Sequence, residues 1–445
     1  MMPKTPKGIR GFLIDTPDAG RVRGIRNGAI LLEDGAIVAA GPYDEVRRAP
    51  GADGICWQHS PEAVIVPGLI DLHTHLPHYP AAGRVEGGVD SWLEHQGIPS
   101  EREFNTALAE TDAPRFFEAL ARNGTTCAML HSGIYEDSCD AAFEAAERSG
   151  LRIIMGTVMA DREDHGERPS DKALAVSLEQ SERLCRKWHG RDNGRLEYAF
   201  SPRSALACTG ELLQEVILLA RKFDAYVQMH LAESADETAR IAERLPGFPH
   251  RVAVFDECGL PGDRTVLAHC IHLNEEEIRL LADRRAVVAH CPTSNLFLNN
   301  GIMPLDALQQ VGLRIGLGSD VAAGPELDLW RVMRCAIESQ KARSFYTPGV
   351  RIPNAADAFH MATLGGAIAL GKEAILGTID VGKDADLVVL DLAHVLPYGS
   401  RGNMHSDLSA EEVLDLLVYR GGPHAMVETF VRGASVYKAP SPLLL

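Results

Sequence analysis

Nowhere in the 445 residues do two cysteines form a Cys-x-x-Cys pair, which removes the simplest thiol framework for redox chemistry or a zinc ribbon. The nine cysteines are odd in number, and several, such as Cys127, Cys270 and Cys291, lie in apolar strand-like runs. Reduced, buried thiols in a cytoplasmic protein are the expectation. No apolar run approaches the ~18 residues of a membrane span, and Met1 to Lys7 lacks the apolar core of a secretion signal. Basic excess is missing too: the formal net charge is -17 at pH 7. A surface of that sign repels nucleic acid and anionic membranes and points to a small-molecule partner. Internal repeats and low-complexity tracts are absent. What is present, 45% hydrophobic and 24% charged residues, is ordinary for a folded protein and enough for one large barrel with a small attachment.

The chain is organised around Val66-Pro67-Gly68-Leu69-Ile70-Asp71-Leu72-His73-Thr74-His75. This run, with Ala63 to Val66 before it, reads as one buried strand: short, β-branched and stopped by polar residues. Residues i and i+2 of a strand face the same side, so His73 and His75 point one way and make half of a divalent-metal site. Downstream, apolar runs alternate with amphipathic patterns. Strands are expected at Thr125–Leu130, Leu151–Met159, Leu196–Ser201, Ala225–His230, Thr265–His269, Ala286–His290 and Arg314–Ser319. Helices are expected at 113–122, 140–148, 172–188, 210–223 and 275–284. Eight strands alternating with helices describe a (β/α)8 TIM-like barrel. An open doubly wound sheet usually carries a glycine-rich phosphate turn after its first strand; here a His-x-His stands in that place. Residues 1–66 and 377–445 are β-rich at both ends and are expected to meet in a small β-sandwich around the barrel at 67–376. The C-terminal part adds one barrel-packing helix.

Reactive groups of such barrels sit where strands run into the following loops. Here those ends carry His73 and His75, then Ser201-Pro202-Arg203, His230 to Glu233, His269, His290 and Ser319-Asp320. His73, His75, His230 and Asp320 offer three nitrogens and one oxygen, with a position left for water whose pKa the cation lowers towards ~7. Asp320 could take the water's proton, Glu233 could shuttle protons, and His269 could stabilise developing charge. His272, His290 and Asn295 are candidates for support behind the site. Trp92 to His95 and Trp188-His189 read as helix packing, and His394, His405 and His424 carry no assignment.

Together these segments resemble the amidohydrolase superfamily, and within it the guanine deaminase branch. The resemblance spans nearly the whole chain. It rests on Pro67 to His75, Asn123-Gly124-Thr125-Thr126, Ser201-Pro202-Arg203, His230-Leu231-Ala232-Glu233, Ala268 to Leu273, His290 to Leu296, Gly316 to Val321 and Ala362 to Ala367. It implies one divalent metal, Zn2+ or Fe2+, on His73, His75, His230 and Asp320, with Glu233, His269 and Asp320 catalytic. A two-metal member would carry a bridging carboxylated lysine at strand four, and no lysine occurs in 196–206. The resemblance also implies a homodimer and the hydrolysis of guanine to xanthine and ammonia in purine catabolism, with Arg203 on the substrate carbonyl.

Two positions depart from the branch. The glutamine that usually follows its His-x-His is replaced by Leu76-Pro77-His78, and the phenylalanine after its Ser-Pro-Arg is Ser204. Neutral histidine offers one donor and one acceptor on separate ring atoms, where an amide offers both at one end. A pterin, 8-oxoguanine or an aminotriazine therefore remains an alternative substrate. Hydrolysis of a cyclic amide or loss of chloride on the same scaffold is a further one, and a catalytically dead scaffold is the reading outside enzymes. The acidic stretch 161–165 is a candidate pocket border.

Overall fold

The structure is a computed structural model that describes residues 7–60, 62–84, 87–162, 173–245, 247–397 and 407–440, with 173–175 described in backbone only. Eight parallel strands form the barrel: β1 (Leu69–His75), β2 (Thr125–His131), β3 (Arg152–Gly156), β4 (Leu196–Pro202), β5 (Tyr226–Leu231), β6 (Thr265–His269), β7 (Val287–His290) and β8 (Arg314–Leu317). Each pairs in parallel with its sequence neighbour. The ring closes just past β8, where the Asp320 amide donates to the His73 carbonyl (2.7 Å) and the His75 amide to the Val321 carbonyl (2.9 Å). Closure demands close approach, and glycine allows it. A Cβ at Gly316 would lie 2.5 Å from the Leu72 side chain, and one at Gly318 would lie 2.9 Å from the Cβ of His73. Any larger residue would force β8 away from β1.

A second sheet joins the two ends of the chain. Its hydrogen-bonded order runs Ala434–Lys438, Met426–Val431, Leu387–Leu390, Val64–Pro67, Lys7–Asp18, Arg21–Glu33 and Ala36–Pro42, with Trp57–Gln58 beside Lys7–Asp18. The Asp34-Gly35 turn falls between two of these strands as expected, though the strands are longer than the sequence suggests. The run read as one strand from Ala63 to His75 is two. Val64–Pro67 pairs antiparallel with Leu387–Leu390 in the terminal sheet, and the barrel strand begins only at Leu69. Gly68 marks the crossing, since a Cβ there would lie 2.1 Å from Thr126 Oγ1. The run expected at 151–159 is likewise broken, into β3 and Val158–Met159.

Apolar side chains fill the barrel below the rim, among them Ile70, Met129, Ile154, Tyr226, Val266 and Val287. A larger core lies between the barrel wall and its helices. Of the expected helices, Gly210–Phe223 has the expected bounds and Glu275–Asp283 differs by one residue. Thr106–Arg122 begins a full two turns earlier than expected, its start set by Asn105, whose side chain caps the Leu108 amide. Ala410–Arg420 is the helix expected in the C-terminal part. No helix among the described residues is long and apolar enough to cross a membrane.

Candidate active site

A β-bulge aims the paired histidines inward. Asp71 pairs with Ala128 and Thr74 with Leu130, so β1 carries one residue more than β2 over that stretch. An extra residue switches the facing of everything after it. His73 and His75 thus come to face the interior that Ile70 faced before it, and His75 stacks on His131 at the end of β2 (ring centroids 4.7 Å apart, planes 12° apart). Buried Asp71 pins the bulge to β8 by accepting from the Ser319 amide (3.0 Å), the Ser319 hydroxyl (2.5 Å) and the His73 amide (3.2 Å).

The four expected ligands converge. His73 Nε2 lies 3.2 Å from His75 Nε2, and His230 Nε2 lies 3.2 Å from His75 Nε2. Asp320 Oδ1 is 3.0 Å from His73 Nε2 and 3.1 Å from His75 Nε2. Ligands about 2.0–2.1 Å from a tetrahedral cation stand roughly 3.3 Å from one another, so these separations fit a common cation. The chemistry of the donors fits as well. Burial holds His75 down at about 3 and His230 well below the usual histidine range, so both imidazoles are neutral and can ligate. Neither carboxylate oxygen of buried Asp320 has a hydrogen-bond donor among the described residues. The backbone is strained at this rim: Ala232, His269, Cys270 and Asp320 all have positive φ, from 51° to 73°, a conformation that costs about 1–3 kcal/mol per residue outside glycine and clusters at active sites.

Glu233 and His269 stand beside these four residues. His269 Nε2 is 3.6 Å from Asp320 Oδ2 and 3.8 Å from Glu233 Oε2. Its Nδ1 lies 2.9 Å from the side-chain oxygen of Asn295, so Nδ1 donates there and Nε2 faces the two carboxylates. Burial pushes the Glu233 carboxyl well up, and the charge of Asp320 adds to the push. Burial opposes ionisation of Asp320 also, but His269 and His73 outweigh it and hold that carboxyl well below its ordinary range. One carboxyl is thus poised to carry a proton and its neighbour to stay ionised.

A cleft of about 700 Å³ opens over this cluster, lined by His78, Trp92, Glu101, Arg203, Ser204, Glu237 and Arg240 among others. His78 and Arg203 both reach it, and both meet a residue the sequence did not single out: Glu101. Ser204 lines the cleft, but its hydroxyl accepts from the Leu206 and Ala207 amides and caps a turn. Trp92, read from the sequence as packing, is part of the cleft wall, edge-on to His78 with centroids 5.1 Å apart. Asp161 instead braces Thr209, the residue that caps the helix at Gly210–Phe223, by accepting from its amide (2.7 Å); residues 163–165 of that acidic stretch lie outside the described residues, as does His405. His272 acts at one remove, its Nε2 on the Asn300 carbonyl (2.7 Å) while Asn300 Nδ2 donates to Glu233 (2.9 Å). His290 is buried near His269 with neither ring nitrogen hydrogen-bonded among the described residues.

The Amidohydrolase family pattern matches residues 64–435. The chain belongs to the amidohydrolase family. This amidohydrolase is 32% identical to the guanine deaminase of Escherichia coli over 98% of both chains, and 29% identical to that of Homo sapiens over 83% of this chain and 82% of the human one. It also shares 32% identity with a 5'-deoxyadenosine deaminase of Methanothermobacter thermautotrophicus over 87% of this chain and 86% of that one. Among solved structures, E. coli guanine deaminase superposes with a TM-score of 0.88 over 98% of this chain and all of that one. The C. acetobutylicum enzyme with guanine bound in its active site gives 0.87 at 27% identity, over 97% of this chain and all of that one. The amidohydrolase family is metal-dependent, and the donor set described above is suited to a divalent cation.

Proposed function

We propose that this amidohydrolase converts guanine and water to xanthine and ammonia, with one divalent cation, Zn2+ in preference to Fe2+, on His73, His75, His230 and Asp320. The observation that carries the reading is the meeting of three imidazoles and one carboxylate, linked by contacts of 3.0–3.2 Å, beside a second carboxyl that burial pushes well up. When bound, the cation supplies a Lewis acid that lowers the pKa of a water towards ~7. Asp320 accepts the proton of the attacking water as its oxygen bonds to the ring carbon bearing the amino group. Glu233 delivers a proton to the adjacent ring nitrogen, returns to the carboxylate, takes the proton from Asp320 and passes it to the amino group. As the carbon–nitrogen bond breaks and ammonia leaves, the remaining hydroxyl proton of the added oxygen returns through Asp320 to Glu233, which leaves the new carbonyl of xanthine and restores the acid. His269, held by Asn295, steadies the charge that builds on the attacking oxygen. Arg203 donates to the substrate's carbonyl oxygen, and His78 and Ser204 border the ring.

A second reading keeps the chemistry and changes the ring to 8-oxoguanine, a pterin or an aminotriazine; His78 and Ser204 favour it, because neither reproduces a planar amide beside an aromatic face. Ammonia release across guanine and these three compounds decides between them. Guanine is expected to give the highest kcat/KM, and ammonia from none of the four overturns both readings. By the same likeness we propose a cytoplasmic homodimer divided at 66/67 and 376/377 into terminal sheet and barrel. Light scattering is expected to give twice the chain mass of 48.2 kDa; a single chain mass would overturn the dimer.

A further inference from the structure

Between β1 and the helix at Thr106–Arg122 the chain makes an excursion through Val89–Trp92, a wide π turn at Leu93–Gly97 and the short helix Ile98–Glu103. That excursion delivers one carboxylate to the cleft wall. Glu101 is only 2% exposed, and its side chain pairs with two residues of the cleft, His78 and Arg203. Its Oε1 lies 3.1 Å from His78 Nε2 and 3.4 Å from Arg203 Nη1, and its Oε2 pairs with Arg203 Nη2. A carboxylate can only accept, so the three contacts dictate what faces it. Nε2 of His78 must carry its proton, and the guanidinium must present two N–H groups to one carboxylate, the geometry in which arginine is most firmly held. Burial alone would push the Glu101 carboxyl up, but the charge of Arg203 and the bond to His78 outweigh it and bring it down to about 2, so this acceptor is permanent.

We propose that Glu101 is the specificity-determining positioning residue of the cleft, fixing the His78 proton and the Arg203 fork as one array that reads the carbonyl-bearing edge of the substrate. This rests on the deaminase reading for its choice of ligand. The logic is one of preorganisation: an arginine free to swing loses rotamer freedom on binding each ligand, whereas one already clamped donates its remaining N–H direction without that cost. A neutral amide at this position in sequence would need no such partner; a histidine does, because its proton can sit on either nitrogen. Glu101 makes the choice for it.

The test is binding, so that it stands apart from turnover. Hypoxanthine carries the ring carbonyl without an amino group to lose, and purine lacks both; their Kd values on the zinc-loaded protein are measured by calorimetry for wild type, Glu101→Gln and Glu101→Asp. Wild type is expected to favour hypoxanthine, and Glu101→Gln to lose about 10- to 100-fold of that preference, the scale of a hydrogen bond to a charged group. Glu101→Asp, which keeps the carboxylate, is expected to recover part of it, with zinc content equal in all three. The 15N spectrum of His78, assigned by its loss in His78→Gln, is expected to show Nε2 protonated in wild type. An unchanged hypoxanthine-to-purine ratio in Glu101→Gln, or Nδ1–H in wild type, overturns the inference. Failure of wild type to release ammonia from any amino-heterocycle overturns the deaminase reading and leaves the tautomer result to stand on its own.

Discussion

Two carboxyl groups, 3.6 and 3.8 Å from the same His269 nitrogen, are pushed in opposite directions because their surroundings differ. Asp320 faces imidazoles on three sides, while Glu233 meets burial, the charge of Asp320 and one amide from Asn300. The role of Glu233 predicts that Glu233→Gln keeps its zinc, since no ligand is lost, yet drops kcat by about 10²- to 10⁴-fold. Equal zinc content with wild-type turnover would remove Glu233 from proton transfer. Much of this was legible in the sequence, because a strand places its last residues at a known rim and the ligands are the residue types that bind metals. Glu101, His131 and Trp92 were not. His131 is a single histidine ending an apolar run, which by itself says nothing. Glu101 sits 23 residues beyond its partner His78, on a loop helix whose path no periodicity announces.

At the level of elements, the decisive devices are small irregularities: the bulge in β1, the glycines of β8, the left-handed residues at the ends of β5 and β6. Period-2 patterning cannot reveal a bulge, so the sequence placed both histidines on one side without saying which side was the interior. Helix capping offers a test at this scale. Asp328 starts the helix Leu329–Ser344 by accepting from the Trp330 amide (3.0 Å), and it is 4% exposed. Burial raises its carboxyl to about 7. A folded-state pKa above the unfolded value near 4 favours folding at low pH and loses that contribution as pH rises through 7. Asp328→Asn keeps an oxygen for the cap and removes the charge. It is expected to match wild type near pH 4 and to be more stable, by up to a few kcal/mol, at pH 8. Urea midpoints that stay parallel from pH 4 to pH 8 would contradict this.

Over the whole molecule, the terminal sheet and the barrel are joined where sequence reading sees only two ends and a middle. Arg152 of β3 is buried and reaches into the C-terminal segment, its Nε 2.6 Å from Asp386 and its Nη2 paired with Asp384. Removing one partner of a buried pair leaves the other charge uncompensated, at about 3–5 kcal/mol. Arg152→Ala is expected to lower unfolding stability on that scale while leaving zinc stoichiometry alone; a change under about 1 kcal/mol would mean that the two sheets hold together without it. The alternation of strand and helix, the meeting of the termini and the gathering of His73, His75, His230 and Asp320 at one rim could be read from the sequence, since strand ends and their order along the chain fix them. The split at Gly68 could not, because it depends on Thr126 and on Leu387–Leu390, far along the chain.

The account rests on one cation serving one water at the His73, His75, His230 and Asp320 cluster. Metal-free protein titrated with zinc while ammonia release from guanine is followed tests that most directly. The rate is expected to climb in proportion to zinc and to level at one equivalent per chain. Levelling at two equivalents, or a rate indifferent to zinc, would contradict it.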